Sequence, residues 1–324
     1  MFKTPILLIA FNRPDHVRRV LTEILKQEPQ LLYVCQDGAR DGNENDRIKC
    51  QEVRDVVNEL TAAYAVGNKH FTLHTLYQKK NLGCGPGPAA GLTWFFEQEE
   101  MGLIFEDDAV PHPDFFEYAV MLLEKYKDDE SVRAIGSMNV DTRKWGDGSY
   151  YFSMMNRNLC AWATWRRAWK DFDLYLRDIT WRKLDMALKQ YGCTLYEREY
   201  WLDRFAEAQL DAQGGRSWDQ QFFMSIWLNE GKGIIPNENL SSNIGTVGEG
   251  THQMESGNMI DNVPTKPILP LLHPSSTMIQ SKADREFHNR YFEPCKHTAE
   301  WIISKINKRI KRITGHQGSW LKKK

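Results

Sequence analysis

The sequence lacks the features that would assign its 324 residues to several common classes of protein. Its apolar runs are all shorter than the roughly 20 residues that a membrane-spanning helix needs. The N-terminus enters an apolar stretch at Pro5 without the apolar segment and small-residue cleavage site of a signal peptide. A formal net charge of −1 argues neither for nor against a nucleic-acid partner. We expect a cytoplasmic protein, and we expect no nucleic-acid partner.

Cysteine is also scarce, and its spacing fits neither a zinc site nor a disulfide framework. The six cysteines are Cys35, Cys50, Cys84, Cys160, Cys193 and Cys295. Because they show no paired spacing, we expect reduced thiols, which agrees with a cytoplasmic location.

Short apolar runs alternate with amphipathic segments over the first part of the chain. Strands are predicted at 5–10, 31–35, 71–76, 103–105 and 132–136. The segments between them carry apolar residues at helical spacing, and Asp15 is expected to cap the first helix. Strands that alternate with helices in this way predict an α/β layer architecture with a mostly parallel sheet.

Polar motifs follow four of these strands. They are Asn12-Arg13-Pro14, Gln36-Asp37-Gly38, Asn81 with the loop that begins at Gly83, and Glu106-Asp107-Asp108. Ligands of open α/β sheets bind at the carboxyl ends of the strands. The motifs together therefore predict a binding site along that edge, although one such motif alone would indicate only a turn.

The acidic triplet Glu106-Asp107-Asp108 directly follows the apolar run Leu103 to Phe105. Carboxylates at the end of a buried strand lose water and repel one another unless a cation neutralises them. A hard divalent ion bound by one or two carboxylates and by substrate phosphates would satisfy this need. The alternative is an exposed acidic turn before a helix that begins at Pro113-Asp114.

Tryptophan is frequent in the second half of the chain, where the alternation of strands and helices weakens. The residues are Trp162, Trp165, Trp169, Trp181, Trp201, Trp218 and Trp227. Such residues either pack in a core or line a sugar-binding cleft, and the sequence leaves both interpretations open. Ser217-Trp218-Asp219 opens an apolar helix, a strand is expected at 232–236, and 242–252 is expected to be irregular.

Residues 301–324 form a basic amphipathic segment. Ile302, Ile303, Ile306, Ile310 and Ile313 share one helical stripe, and lysines and arginines occupy most of the remaining surface. Such a segment either lies on an anionic membrane surface or docks its isoleucines on the domain with the basic face in water.

The order of the motifs resembles that of nucleotide-sugar glycosyltransferases of the GT-A fold, in particular N-acetylglucosaminyltransferase I. The likeness is carried by Gln36-Asp37-Gly38, by Glu106-Asp107-Asp108 with the sequence PDFFEY at 113–118, and by Trp218-Asp219. The stretches 235–238 and 243–252 resemble the proline-containing strand and the donor-covering loop of that family. The likeness runs from about Pro5 to His252, and no family counterpart is recognised beyond it.

The resemblance implies a GT-A, Rossmann-like α/β fold, with a mixed, mostly parallel sheet flanked by helices and here followed by a C-terminal amphipathic helical tail. We expect a donor-binding half at 1–138 and an acceptor and catalytic half at 139–252. An irregular extension at 253–300 and the basic tail at 301–324 would follow.

The resemblance also implies roles for individual residues. Asn12, Arg13, Asp37, Asn81 and Gly83 would surround the nucleotide, and Asp37 would accept a hydrogen bond from the uracil imide N–H. Asp108 would ligate Mn²⁺ or Mg²⁺, while Glu106 and Asp107 would hold the ribose, the sugar and the metal's waters. Asp219 would be the general base, and His252 would donate to the diphosphate. A helix-cap role for Asp219 and a loop histidine without a role at His252 are the alternatives.

These roles imply an inverting, metal-dependent glycosyltransferase. The donor would be a UDP-sugar, with UDP-GlcNAc as a candidate, and the acceptor a hydroxyl of a glycan or lipid-linked molecule in surface polysaccharide synthesis. A sugar nucleotidyltransferase is a second hypothesis, but such enzymes carry a glycine-rich loop with a basic residue where this chain has Asn12-Arg13-Pro14. A third is a sugar-binding module without turnover, which the intact acidic triplet and Asp219 disfavour.

Overall fold

The computed structural model describes residues 2–141, 143–155, 161–210, 217–245, 261–292 and 298–314. The strands are β1 Ile6–Ala10, β2 Leu31–Gln36, β3 Thr72–Tyr77, β4 Met101–Glu106, β5 Ala109–Pro111, β6 Val132–Gly136, β7 Tyr150–Ser153, β8 Ala161–Trp165, β9 Lys232–Pro236 and β10 Ser241–Asn243. The helices are α1 Pro14–Leu25, α2 Glu44–Gly67, α3 Pro86–Gln98, α4 Asp114–Lys125, α5 Arg166–Trp169, α6 Trp181–Gln190, α7 Leu195–Leu210, α8 Asp219–Leu228, α9 Ser281–Phe287 and α10 Ala299–Thr314.

Eight strands form one mixed sheet in the order β3-β2-β1-β4-β8-β6-β9-β7. The β3-β2-β1-β4 half is parallel, whereas β8 runs antiparallel to both of its neighbours, β4 and β6. Helices cover both faces, so the predicted Rossmann-like α/β architecture is confirmed. A separate antiparallel pair, β5 with β10, lies at the end of β4.

The register of the parallel strands aligns their carboxyl ends. Ala10 pairs with Gln36, Gln36 pairs with Tyr77, and Ile9 pairs with Glu106. The polar motifs that follow β1, β2, β3 and β4 therefore leave the sheet at one edge, as the sequence predicted.

Two apolar layers hold the helices on the sheet. One contains residues of α1, α2 and α4, and the other contains residues of α3, α6, α7 and α8. Most of the tryptophans are buried. Those in the two layers are Trp162, Trp165, Trp169, Trp201, Trp218 and Trp227, and Trp145 belongs to a separate small cluster. Of the two interpretations of these residues, packing in the core is confirmed for the buried ones.

Three local predictions from the sequence are corrected. Helix α1 begins at Pro14 with Arg13 as its N-cap, because proline has no N–H to satisfy in the first turn, so Asp15 lies inside that turn. Part of the stretch expected to be irregular, 242–252, forms strand β10, because it pairs with β5. Within 253–300, which was expected to be irregular, helix α9 covers Ser281–Phe287. The proposed domain division remains a prediction.

Helix α10 lies against α6 and α7 through its basic side chains. Arg309 pairs with Asp185 and Glu199, Arg312 pairs with Glu199 and Asp203, and Lys308 pairs with Asp203. The isoleucine stripe points away, with Ile303, Ile306, Ile310 and Ile313 exposed by 55%, 40%, 51% and 58%. The expectation that a docked helix would bury isoleucine and leave its basic face in water is therefore wrong.

Among the described residues, no helix is both long enough and apolar enough to cross a membrane.

Candidate functional site

The acidic triplet lies at the carboxyl end of β4, at the edge where the parallel strands end together. Glu106 is the last residue of β4, and Asp107 and Asp108 make the turn into β5. The side chains of Asp107 and Asp108 are 12% and 15% exposed. This excludes the alternative of an exposed acidic turn. Helix α4 does begin nearby at Asp114, but the triplet itself is enclosed.

Arg13 is the cation that faces the triplet. Its Nη1 lies 3.1 Å from Asp108 Oδ2 and 3.7 Å from Asp107 Oδ1. The backbone N–H of Phe11 donates to Asp107 Oδ2 at 3.2 Å. Within the described parts of the chain, one guanidinium thus stands at ion-pair distance from two carboxylates, and Glu106 adds a third acid.

Crowding of buried acids perturbs their ionisation. Burial, followed by the charges of Asp108 and Asp107, raises the pKa of Glu106 well above its ordinary value. Burial and the charge of Asp108 raise the pKa of Asp107 to about 7, against the opposing effect of Arg13. Burial also raises the pKa of Asp108, which Arg13 lowers. The site therefore holds more potential negative charge than its guanidinium balances.

This charge excess fits a divalent cation. The described residues contain no cluster of three or more histidine, cysteine, aspartate or glutamate side chains placed to hold a metal. A hard ion bound at Asp108 would instead take most of its oxygen ligands from a diphosphate and from water. Asp108 is the residue that would hold it, with Glu106 and Asp107 beside it.

The β5–β10 pair lies beside Asp108 and forms a wall of the site, at the start of the stretch 243–252 that the family resemblance predicts to cover the donor. The Ile244 N–H donates to the backbone carbonyl of Asp108 at 2.9 Å, and Asn243 Nδ2 lies 3.4 Å from Asp108 Oδ1. A Cβ added to Gly245 would fall 2.2 Å from Asp108 Oδ2. Gly245 thus lets the backbone approach the carboxylate, a contact between distant parts of the chain that no local pattern indicates.

The same wall fixes both ends of the segment that contains His252. Asn243 and Asp261 form an isolated parallel β-bridge, and the Asn262 N–H donates to the Asn243 carbonyl at 2.8 Å. The chain therefore departs from and returns to a point next to Asp108. His252 itself lies outside the described residues, and its role remains a prediction.

Asp37 organises the neighbouring loop. Its carboxylate accepts from the backbone N–H groups of Gly38, Leu82 and Gly83, and from Asn81 Nδ2. Gly83 has a φ of +87°, which favours glycine. The structure thus brings Asp37, Asn81 and Gly83 together and gives the carboxylate a role in holding the loop. Its contact with a uracil ring remains a prediction.

Asn12 is held toward α2. Its Nδ2 donates to Asp46 Oδ1 at 2.8 Å, and Asp46, which is fully buried, also pairs with Arg40. The hydrogen bond from the Arg40 side chain lowers the pKa of Asp46, so this carboxylate stays ionised. No local pattern indicated a role for Asp46, because its burial depends on the packing of α2 against the loop after β2.

Trp218 and Asp219 lie close to the triplet. Trp218 stacks on Trp162 with ring centroids 5.7 Å apart, and Trp162 pairs with Ile104 of β4. A hydrogen bond from the Trp218 side chain lowers the pKa of Glu106, while the charge of Asp219 raises it. Asp219 is the first residue of α8 rather than its N-cap, which is Trp218, and Ser217 Oγ donates to Asp219 Oδ1. The structure thus brings the predicted base to the acidic edge.

His16 is a further residue of the site that the motifs did not identify. It lies in the first turn of α1, close enough to Arg13 and Asp108 for their charges to act on it in opposite directions. Burial is the main reason that its pKa is lowered. Its Nδ1 is buried and has no hydrogen-bond partner within the described residues.

The edge therefore combines a buried acidic triplet, an arginine at the start of α1, a carboxylate-anchored loop and a second carboxylate at the start of α8. No family model and no curated protein matches the sequence.

Solved structures do show similarity. Residues 1–349 of TarS from S. aureus align with a TM-score of 0.39 at 12% identity, over 74% of this chain and 60% of that one. The chain thus spans less than two thirds of the TarS fragment. The mannosyltransferase PcManGT from Pyrobaculum calidifontis, in complex with GDP-Man and Mn²⁺, aligns with a TM-score of 0.38 at 14% identity, over 69% of this chain and 69% of that one.

A UDP-glucose pyrophosphorylase complexed with UDP-glucose aligns with a TM-score of 0.32 at 10% identity, over 53% of this chain and 79% of that one. Because all three TM-scores lie below 0.5, the functional proposal rests on the side chains of the site.

Proposed function

We propose that this protein is an inverting, metal-dependent glycosyltransferase that uses a UDP-sugar, with UDP-GlcNAc as a candidate donor. The observation that carries the proposal is the position of Trp218-Asp219 against Glu106-Asp107-Asp108, at the carboxyl edge of the parallel strands. A carboxylate at the start of α8, close to an excess of buried acid, suits a reaction that needs both a base and a cation site.

The donor would lie along the edge. The loop held by Asp37, with Asn81 and Gly83, would face the nucleotide together with Asn12 and Arg13. Asp108 would hold Mn²⁺ or Mg²⁺, and the ion would offset the negative charge that develops on the departing diphosphate. Glu106 and Asp107 would contact the ribose, the sugar and the ion's waters, and His252 would donate to the diphosphate.

Asp219 would act on the acceptor. Its carboxylate takes the proton of the acceptor hydroxyl as that oxygen bonds to C1 of the sugar and the bond from C1 to the diphosphate oxygen breaks. With one base opposite the leaving group, the displacement is direct and the anomeric configuration inverts. The acceptor would be a glycan or a lipid-linked molecule of a surface polysaccharide.

The nucleotidyltransferase hypothesis finds less support in the site. Strand β1 ends at Ala10, and α1 begins at Pro14, so three residues separate them. A glycine-rich loop for a triphosphate has no room in this connection. A sugar-binding module without turnover would not need a carboxylate such as Asp219 beside the acidic triplet.

Donor binding tests the proposal directly. A panel of nucleotide sugars is screened by thermal shift with and without Mn²⁺, since a ligand at about 100 times its Kd stabilises a protein by roughly 2.7 kcal/mol. We expect UDP-sugars to raise the melting temperature only with Mn²⁺, and Asp108→Asn to lose this effect. Asp15→Asn, an exposed acid in the first turn of α1, is the matched control. A metal-independent response, or one confined to nucleoside triphosphates, would contradict the proposal.

We also propose that the protein works in the cytoplasm at the inner face of an anionic membrane. The exposed isoleucine stripe of α10 supports this, with Lys311 on the exposed surface of the same helix and Lys322, Lys323 and Lys324 later in the sequence. Four of the basic side chains on which the sequence argument relied instead face the domain or its acidic side chains: Lys305, Lys308, Arg309 and Arg312. The membrane contact would therefore depend more on isoleucine than on charge.

A further inference from the structure

Arg13 occupies the place beside Asp108 where the proposed function requires a divalent cation. Its Nη1 is 3.1 Å from Asp108 Oδ2, and the Gly245 backbone closes on that same oxygen from another side. A metal bound at Asp108 and the guanidinium would be two positive charges competing for the same carboxylate. Like charges repel strongly at such distances in a partly buried site, so Arg13 could not keep its present contact with Asp108 while a metal is bound there.

The side chain of Arg13 can move while its backbone stays fixed. The residue is the N-cap of α1, where Pro14 restricts the following φ and the Val17 N–H donates to the Arg13 carbonyl at 3.0 Å. Its side chain is 20% exposed, so part of it already reaches solvent. A guanidinium that leaves Asp108 would meet an anion at the mouth of the site, and arginine binds phosphate oxygens through paired hydrogen bonds.

We infer that Arg13 is an exchangeable counter-ion: it neutralises Asp107 and Asp108 while the donor is absent, and it moves to the donor diphosphate when the metal takes Asp108. The inference rests on the proposed function and makes Arg13 a positioning residue with two opposite effects. Without a donor it competes with the metal, and with a donor it assists binding.

Metal binding by the nucleotide-free protein tests the first effect. Free Mn²⁺ is titrated by electron paramagnetic resonance with wild type, Arg13→Gln and Arg13→Lys. Arg13→Gln should bind Mn²⁺ about tenfold more tightly than wild type, because a charge-assisted hydrogen bond no longer has to be broken. Arg13→Lys keeps the charge and should remain close to wild type. Asp108→Asn should abolish the binding in either background.

Binding of UDP with Mn²⁺ held at saturation tests the second effect by calorimetry. Arg13→Gln should weaken UDP binding by about tenfold, since it removes a charge-assisted contact to phosphate. Opposite signs in the two titrations are the expected result. A merely structural role would weaken both, and that outcome, or unchanged Mn²⁺ affinity, would overturn the inference.

Different outcomes would contradict the role of Arg13 and the proposed donor site. If every variant binds UDP with Mn²⁺ but Arg13→Gln gains no metal affinity, the inference is wrong and the proposed donor site stands. If wild type binds no Mn²⁺ even with UDP, both are wrong. Circular dichroism and melting temperature establish that Arg13→Gln is folded. Its melting temperature should rise more on addition of Mn²⁺ than that of wild type, because the metal replaces the missing counter-charge.

Discussion

Asp219 is the residue at which the proposed catalytic role can best be tested apart from a structural role. It is the first residue of α8, whose N-cap is Trp218, so its carboxylate does not fill the N-cap position. Asp219→Asn should retain UDP-sugar affinity and lose turnover by about 10²–10⁴-fold, the usual contribution of a general base. Steady-state kinetics with a calorimetric Kd for the donor measures both. A loss below tenfold would indicate that Asp219 serves the helix rather than the reaction.

Gly245 shows how a residue without a side chain can set the geometry around Asp108, the proposed metal ligand. A Cβ at this position would lie 2.2 Å from Asp108 Oδ2, so Gly245→Ala must displace either the carboxylate or the β10 end. We expect about tenfold weaker Mn²⁺-dependent UDP binding with little change in helical content, since the displaced carboxylate loses a charge-assisted bond. Gly67→Ala, where an added Cβ meets nothing within 4 Å, is the matched control. Equal behaviour of the two variants would contradict this account.

Among the elements, those with a strong internal pattern were predicted from the sequence, and those defined by contact with distant segments were not. The apolar runs at Ile6–Ala10 and Leu31–Gln36 are strands because they are buried on both faces of the sheet. Strand β10 has no such pattern and exists because it pairs with β5. Helix α10 was recognised, but its orientation was not, since its inward face is decided by acids on α6 and α7.

Helix α10 should therefore depend on ion pairs for its docking. Glu199 has no exposed surface and accepts from Arg309 at 3.3 Å and from Arg312 at 3.1 Å. Glu199→Gln should weaken the docked state by about 1–3 kcal/mol, because two guanidinium groups lose a charged partner. Hydrogen exchange of the α10 amides measures the effect, and it should become faster. Ile313→Ser, on the exposed stripe, should leave the exchange unchanged, and a comparable increase there would contradict the ion-pair account.

For the molecule as a whole, the position of the site at the strand ends was predictable from the sequence. The residues from distant segments that enclose it were not. Alignment of strand ends placed Asp37, Asn81, Arg13 and the acidic triplet on one edge, because parallel strands end together. Asn243, Gly245 and Asp46 reach that edge through contacts between segments far apart in the chain. A single sequence carries no local signal for such contacts. His16 was missed because one histidine in an amphipathic helix is not a motif.

The proposed membrane contact is tested on the intact molecule. Full-length protein should float with vesicles that contain anionic lipid, and Ile306→Ser with Ile310→Ser should reduce flotation, since less apolar surface would be buried at about 25 cal/mol per Å². Ile48→Ser with Val66→Ser removes exposed apolar residues elsewhere and is the control. If the two double variants float equally well, the stripe is not the contact surface. High salt should weaken flotation only in part, because much of the basic face of α10 is already paired.

The bridge between Asn243 and Asp261 holds together the two ends of the segment between them. Because these ends already meet, a change in the length of the segment alters its closure entropy only slowly and need not disturb the sheet. A segment of different length or sequence can therefore stand between Asn243 and Asp261 without moving the acidic edge. Under the proposed function, such an exchange would change the surroundings of the donor while the folding of the sheet stays the same.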